Sequence, residues 1–165
     1  MNKQSLQELS EKAKQAIKNG CNKEALGLYK QLVDLYPHYK QGWDNLGFLY
    51  YMAGSFKKAK MCCEKSLELV EDNYYALKGL GLCLVRLGKP EEGIASLKKS
   101  IAVNPYYFDS RYDLGVTYLE LKQFDNAVEC FREALKFAPE KRLIISRAVD
   151  YTERQRKRFH EAANQ

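Results

Sequence analysis

Apolar and polar positions alternate in this chain with a helical rhythm that is broken and restarted at regular intervals. Trp43, Leu46, Gly47 and Tyr50 follow one another at three- and four-residue steps, the spacing of one helix face. Ala53-Gly54-Ser55 interrupts that face with a turn. Ala59, Cys63, Ser66 and Leu67 then mark the face of a second helix. The same pair of faces returns every 34 residues. Trp43, Leu77 and Arg111 share one column, with Leu9 ahead of them. Leu46, Leu80 and Leu114 share the next, beside Gly47, Gly81 and Gly115, where the first copy has Ala13. Tyr50, Leu84 and Tyr118 follow, then Gly20, Gly54 and Gly88. Ala25, Ala59, Gly93 and Ala127 come next, with Tyr29, Cys63, Leu97 and Phe131 after them. Pro37, Pro105 and Pro139 close the unit. A fixed period of this size marks stacked supersecondary units, none able to bury its apolar face alone.

The small residues in these columns carry physical information. A glycine inside a helix costs about 1 kcal/mol relative to alanine. Three of them in equivalent mid-helix positions predict close approach of the paired helix. Gly20, Gly54 and Gly88 fall where a left-handed residue ends a helix. In Gly88-Lys89-Pro90-Glu91-Glu92, a proline and two acids open the next one, as the helix dipole favours.

These residues resemble the tetratricopeptide repeat. Its W-x2-L-G-x2-Y … A-x3-F … P pattern is followed from Trp43 to Cys63, from Leu77 to Pro105 and from Arg111 to Pro139. A degenerate first copy, with Lys12 at a leucine position, keeps the register from Leu6. The resemblance implies an all-α, right-handed solenoid of four helix pairs forming one domain over the whole chain. The expected repeats are 6–39, 40–73, 74–107 and 108–141, with a capping helix over 142–162. It also implies a concave face lined by the first helix of each pair.

On that face the sequence places a largely aromatic and apolar middle. The expected peptide-binding residues are Asn45, Phe48, Tyr51, Tyr75, Lys78, Leu82, Arg86, Tyr112 and Asp113. Phe48, Tyr75, Leu82 and Tyr112 are the expected anchors. Tyr51, together with Met52 and Val85, is open to a second reading as seam packing. Gly79 leaves a hollow beside Leu82. Lys78 and Arg86 are expected to favour an acidic group in the ligand. Asn45 matches the family's groove asparagine, which implies a hydrogen bond to a ligand backbone. The clamp of Lys, Asn and Arg by which some family members hold a C-terminal carboxylate is not reproduced, since Tyr75 and Gly79 occupy its later positions.

Composition narrows the remaining choices. One domain suits 165 residues. No apolar run reaches the length of a membrane span, and the N-terminal Met-Asn-Lys-Gln-Ser-Leu-Gln-Glu-Leu has no apolar core, so no signal peptide is expected. Cys21, Cys62, Cys63, Cys83 and Cys130 are odd in number, contain no CxxC and fall in helix columns. They read as small buried hydrophobes in a reducing compartment, and a cytoplasmic location is expected. With only His38 and His160 available, neither near other ligands, no metal or cofactor is expected. No GxSxG, P-loop or HExxH occurs, and no enzyme activity is expected.

Charge changes the picture at one end. The chain carries a net +6, and residues 140–165 hold seven Lys or Arg against four acids, half of that excess. Arg154, Arg156, Lys157 and Arg158 form the peak, on a helix whose other face carries Leu143, Ile144, Ala148, Tyr151 and Phe159. The resulting expectation is a non-enzymatic adaptor or chaperone-like module binding a peptide or helix of another protein in its groove. Two alternatives stand beside it: a factor docking on nucleic acid or an anionic surface through the basic helix, and a self-assembling scaffold, a homo-oligomer in which one copy enters the groove of the next.

Overall fold

A computed structural model describes residues 5–163. Among them are nine α-helices and no strand. The pairs are α1 (Leu6–Lys18) with α2 (Asn22–Leu35), α3 (Lys40–Met52) with α4 (Phe56–Leu69), α5 (Tyr74–Arg86) with α6 (Pro90–Val103), and α7 (Phe108–Glu120) with α8 (Phe124–Phe137). A single 3-10 turn over Pro139–Lys141 leads into α9 (Arg142–Ala163). Each helix packs on its predecessor and successor, and α3 touches α5 as α5 touches α7. The chain is an all-α solenoid whose first helices line up along one face.

The glycine columns do the work expected of them. A methyl group built on Gly115 would lie 2.6 Å from the Phe131 ring, and one on Gly81 would lie 2.8 Å from the Gly93 carbonyl oxygen. The paired helices are therefore too close for any Cβ at these positions. The inter-helix turns reverse the chain at a left-handed residue: Gly20, Gly54 and Gly88 have φ of 74°, 71° and 79°. The fourth turn uses Lys122 at φ 59° in the same place, at the cost of the Cβ crowding that glycine avoids. The start of α1 is capped in full. Ser5 Oγ accepts from the Glu8 amide while the Glu8 carboxylate accepts from the Ser5 amide.

Two buried clusters make the core. The first joins α1 to α5 around Tyr29, Leu46, Leu49, Cys62 and Cys83; the second joins α6 to α9 around Leu97, Phe131 and Ile145. α9 enters the second cluster through Ile145, with Ala148 and Val149 beside it, and buries Thr152. The column shared by Trp43 and Arg111 has a common structural role. Each donates from its side chain to the carbonyl of the proline six residues earlier, Pro37 and Pro105. Cys21 departs from its expected helix position. It is the exposed N-cap residue of α2, because the turn after Gly20 ends there.

Candidate functional site: an apolar pocket on the inner face

The inner face is built by α3, α5 and α7, whose side chains at three- and four-residue steps point away from their partner helices. Between α3 and α5 lies a pocket of about 190 Å3. Phe48, Tyr51, Met52 and Leu82 form its walls. Phe48 and Met52 are 43% and 63% exposed and lie together on the pocket wall. Gly79 gives the pocket its depth, since a Cβ there would lie 2.9 Å from Cys63 Sγ. Cys63 and Cys83 lie at the bottom, both buried. The two thiols influence each other: Cys63 holds the Cys83 thiol below its ordinary value, while Cys83 and burial push Cys63 far up.

The rim is polar. Asp44 is tied down from all sides. Its carboxylate accepts from Ser66 Oγ at 2.6 Å, from Asn73 Nδ2 at 2.9 Å and from Lys40 Nζ at 2.7 Å. Across the pocket, Lys78 Nζ lies 3.6 Å from Asp113 and 3.9 Å from Asp109, and over the rings of Tyr75 and Tyr107. Burial pushes the Asp113 carboxyl above its ordinary value despite Lys78 beside it. Burial, then the nearby Asp44 charge, pushes the Tyr75 hydroxyl up to about 12.

The nine residues expected in the groove separate into two groups. Phe48, Tyr51, Tyr75, Lys78, Leu82 and Asp113 all line the pocket. Asn45, Arg86 and Tyr112 do not. Asn45 Nδ2 donates to the Gln41 carbonyl one turn back on its own helix. Arg86 is held by Glu120 through two bonds of 3.0 and 3.2 Å, and its pKa is raised first by the Tyr51 hydroxyl. Tyr112 makes a tilted ring contact with Phe131, ring centres 5.3 Å apart, and packs against the second core cluster. The spare cations that the sequence offered for an acidic ligand are thus engaged within the chain. Sequence reasoning did not single out the thiols of Cys63 and Cys83 as pocket lining or the Ser66–Asn73 support behind Asp44. One signal was available. Arg86 and Glu120 stand one 34-residue period apart, and stacking brings opposite charges in one column together.

The four residues expected to form the basic patch on α9 also divide. Arg156 pairs with Asp125 at 2.7 Å and Lys157 lies 3.8 Å from Glu161. Arg154 and Arg158 have no ion pair among the described residues, and Arg158 lines an open cleft with Lys122, Phe124, Tyr151 and Phe159. Among the described residues no three His, Cys, Asp or Glu side chains are placed to hold a metal ion. None of the described helices is long and apolar enough to cross a membrane.

Comparison with known proteins bears on this architecture. Residues 75–107 and 108–141 each match the tetratricopeptide repeat. A probable UDP-N-acetylglucosamine–peptide N-acetylglucosaminyltransferase, SPINDLY, of Hordeum vulgare is 29% identical over 120 residues, covering 68% of this chain and 13% of that protein. A peroxisomal targeting signal receptor of Kluyveromyces lactis is 25% identical over 115 residues, covering 69% of this chain and 20% of the receptor. The chain therefore spans a fifth or less of these relatives. Among solved structures, a thermophilic TPR protein of Thermus thermophilus superimposes with a TM-score of 0.78 at 24% identity, covering 88% of this chain and 82% of that one.

Proposed function

We propose that this chain, a member of the tetratricopeptide-repeat family, is a non-enzymatic adaptor that holds a peptide segment or helix of another protein in the pocket between α3 and α5. The two repeats that match this family support a role as a protein–protein interaction module. One relative is named as a receptor for a targeting signal, which supports recognition of a polypeptide. The transferase relative is matched over 13% of its length, so its activity does not transfer with the match.

The observation that carries the reading is the pocket itself. Covering an apolar concavity with Phe48 and Met52 exposed at its walls is favourable, at roughly 25 cal/mol per Å2 of apolar surface. Anchors of this kind supply most of the energy in protein interfaces. Phe48, Tyr75 and Leu82 are the proposed anchors, with Tyr51 beside them. The proposed setting is cytoplasmic, consistent with five cysteines in no disulfide.

The test compares wild type, Phe48→Ala and a variant with Arg154 and Arg158 changed to Gln. Each is used to capture proteins from a lysate, and affinity is measured for whatever wild type retains. Loss of affinity in Phe48→Ala, at moderate salt, is the expected result. Retention by Phe48→Ala with loss in the arginine variant, and steep weakening by salt, would assign function to the basic helix instead.

A further inference from the structure

We propose that the groove ligand is basic: a peptide that seats one apolar side chain over Gly79 and places a Lys or Arg beside it, against Asp109 and Asp113. This rests on the groove reading above and gives it a chemical identity.

The size of the pocket sets the first half. A cavity of roughly 150 Å3 accommodates a benzene ring, so a pocket of about 190 Å3 takes one aromatic or branched aliphatic side chain and not two. Its bottom is thiol and glycine, with no free polar group to reward a hydrophilic insertion. The depth depends on Gly79, because a Cβ there would reach Cys63 Sγ.

Charge sets the second half. Among the described residues, the carboxylates of Asp44, Asp109, Asp113 and Glu120 along α3, α5 and α7 face three partner cations, Lys40, Lys78 and Arg86. Lys40 answers Asp44, and Arg86 answers Glu120. Lys78 is left to serve both Asp109 and Asp113, at 3.9 and 3.6 Å. The excess is negative and lies at the lip of the apolar pocket. Asp109 is half-exposed, so an incoming cation can reach it. Burial acts on Asp113 more strongly than Lys78 does, so this carboxylate is short of positive charge. An acidic ligand would add a third carboxylate at the same place and be rejected.

A phage-displayed library of random peptides, panned on the whole chain at physiological salt, supplies the test. Phe48→Ala is panned in parallel. The expected pool carries an aromatic or branched aliphatic residue next to Lys or Arg, and is lost on Phe48→Ala. A synthetic peptide of that consensus should bind Asp109→Asn and Asp113→Asn about fivefold more weakly than wild type. Its counterpart with Gln replacing the base should bind all three proteins alike. Asp109→Asn alters an exposed position, so it remains a valid arm should Asp113→Asn disturb the fold. Acid-rich peptides that still need Phe48, or basic peptides indifferent to both aspartates, would overturn the proposal and leave the groove reading standing. A library from which wild type retains nothing that Phe48→Ala loses would overturn both.

Discussion

Arg156 on α9 donates through Nη1 to Asp125 Oδ1 on α8 at 2.7 Å, tying the basic helix to the last repeat. Asp125 is 87% exposed and Arg156 41%, and exposed pairs contribute at most about 1 kcal/mol. What fixes α9 is the burial of Ile145 and Thr152 beside it. Arg156→Ala should therefore shift the melting temperature little. Truncation after Lys141 should lower stability by several kcal/mol, at roughly 25 cal/mol per Å2 of apolar surface uncovered around Phe131 and Leu135. Thermal melts of the two variants check this. Equal, small shifts would show that α9 is a tail and not a cap.

Two glycines should respond differently to alanine. At Gly54 a Cβ meets nothing within 4 Å, and only the positive φ resists it, about 1 kcal/mol. At Gly115 the Cβ would collide with the Phe131 ring, and overpacking costs about 1–3 kcal/mol on top of any helix-propensity gain. Urea unfolding should rank Gly115→Ala as the more damaging. The reverse order would mean that α7 and α8 separate freely.

Phe48 and Tyr112 should part company in stability. Phe48→Ala removes an exposed ring and should leave unfolding within about 1 kcal/mol of wild type. Tyr112→Ala removes packing from Phe131 and Phe108 and should cost about 2–4 kcal/mol. Chemical denaturation of both variants decides it, and equal stabilities would return Tyr112 to the groove.

Thiol chemistry should report the burial pattern. Cys21 is exposed, while burial pushes Cys62 up to about 12 and Cys130 up to about 11. Near pH 8 an aromatic disulfide reagent should modify Cys21 well ahead of Cys62 and Cys130 in the native chain. Modification of Cys62 or Cys130 as fast as Cys21 would contradict this placement.

Stability should carry an inverted carboxylate signature at Asp113. Burial raises its folded value above the ordinary 3.8, so the folded state holds that proton more tightly than the unfolded state. Its contribution therefore falls as pH rises between the unfolded and the folded values. Asp113→Asn removes that loss, and the gain in stability from about pH 4 to pH 7 should be larger in the variant than in wild type. A smaller gain would show that Lys78 outweighs burial.

The period, the helix pairs and their turns were legible in the sequence. Helix faces and turn residues obey local rules, and a column such as Gly47, Gly81 and Gly115 makes sense only if another helix lies against it. The aromatic inner face followed from the same rules, since residues opposite the packing columns must point away from them. Tertiary structure decided what those residues touch. Lys78 reaches Asp109 and Asp113 on the next repeat, and Arg86 reaches Glu120, so both groove cations are engaged. Tyr112 leans onto Phe131, while Phe48 stays in solvent. Cys63 and Cys83, twenty residues apart on different helices, meet beneath Gly79. The rotation of one repeat on the next sets these contacts, and a pattern of apolar and polar positions fixes the face of a helix but not the side chain that faces it.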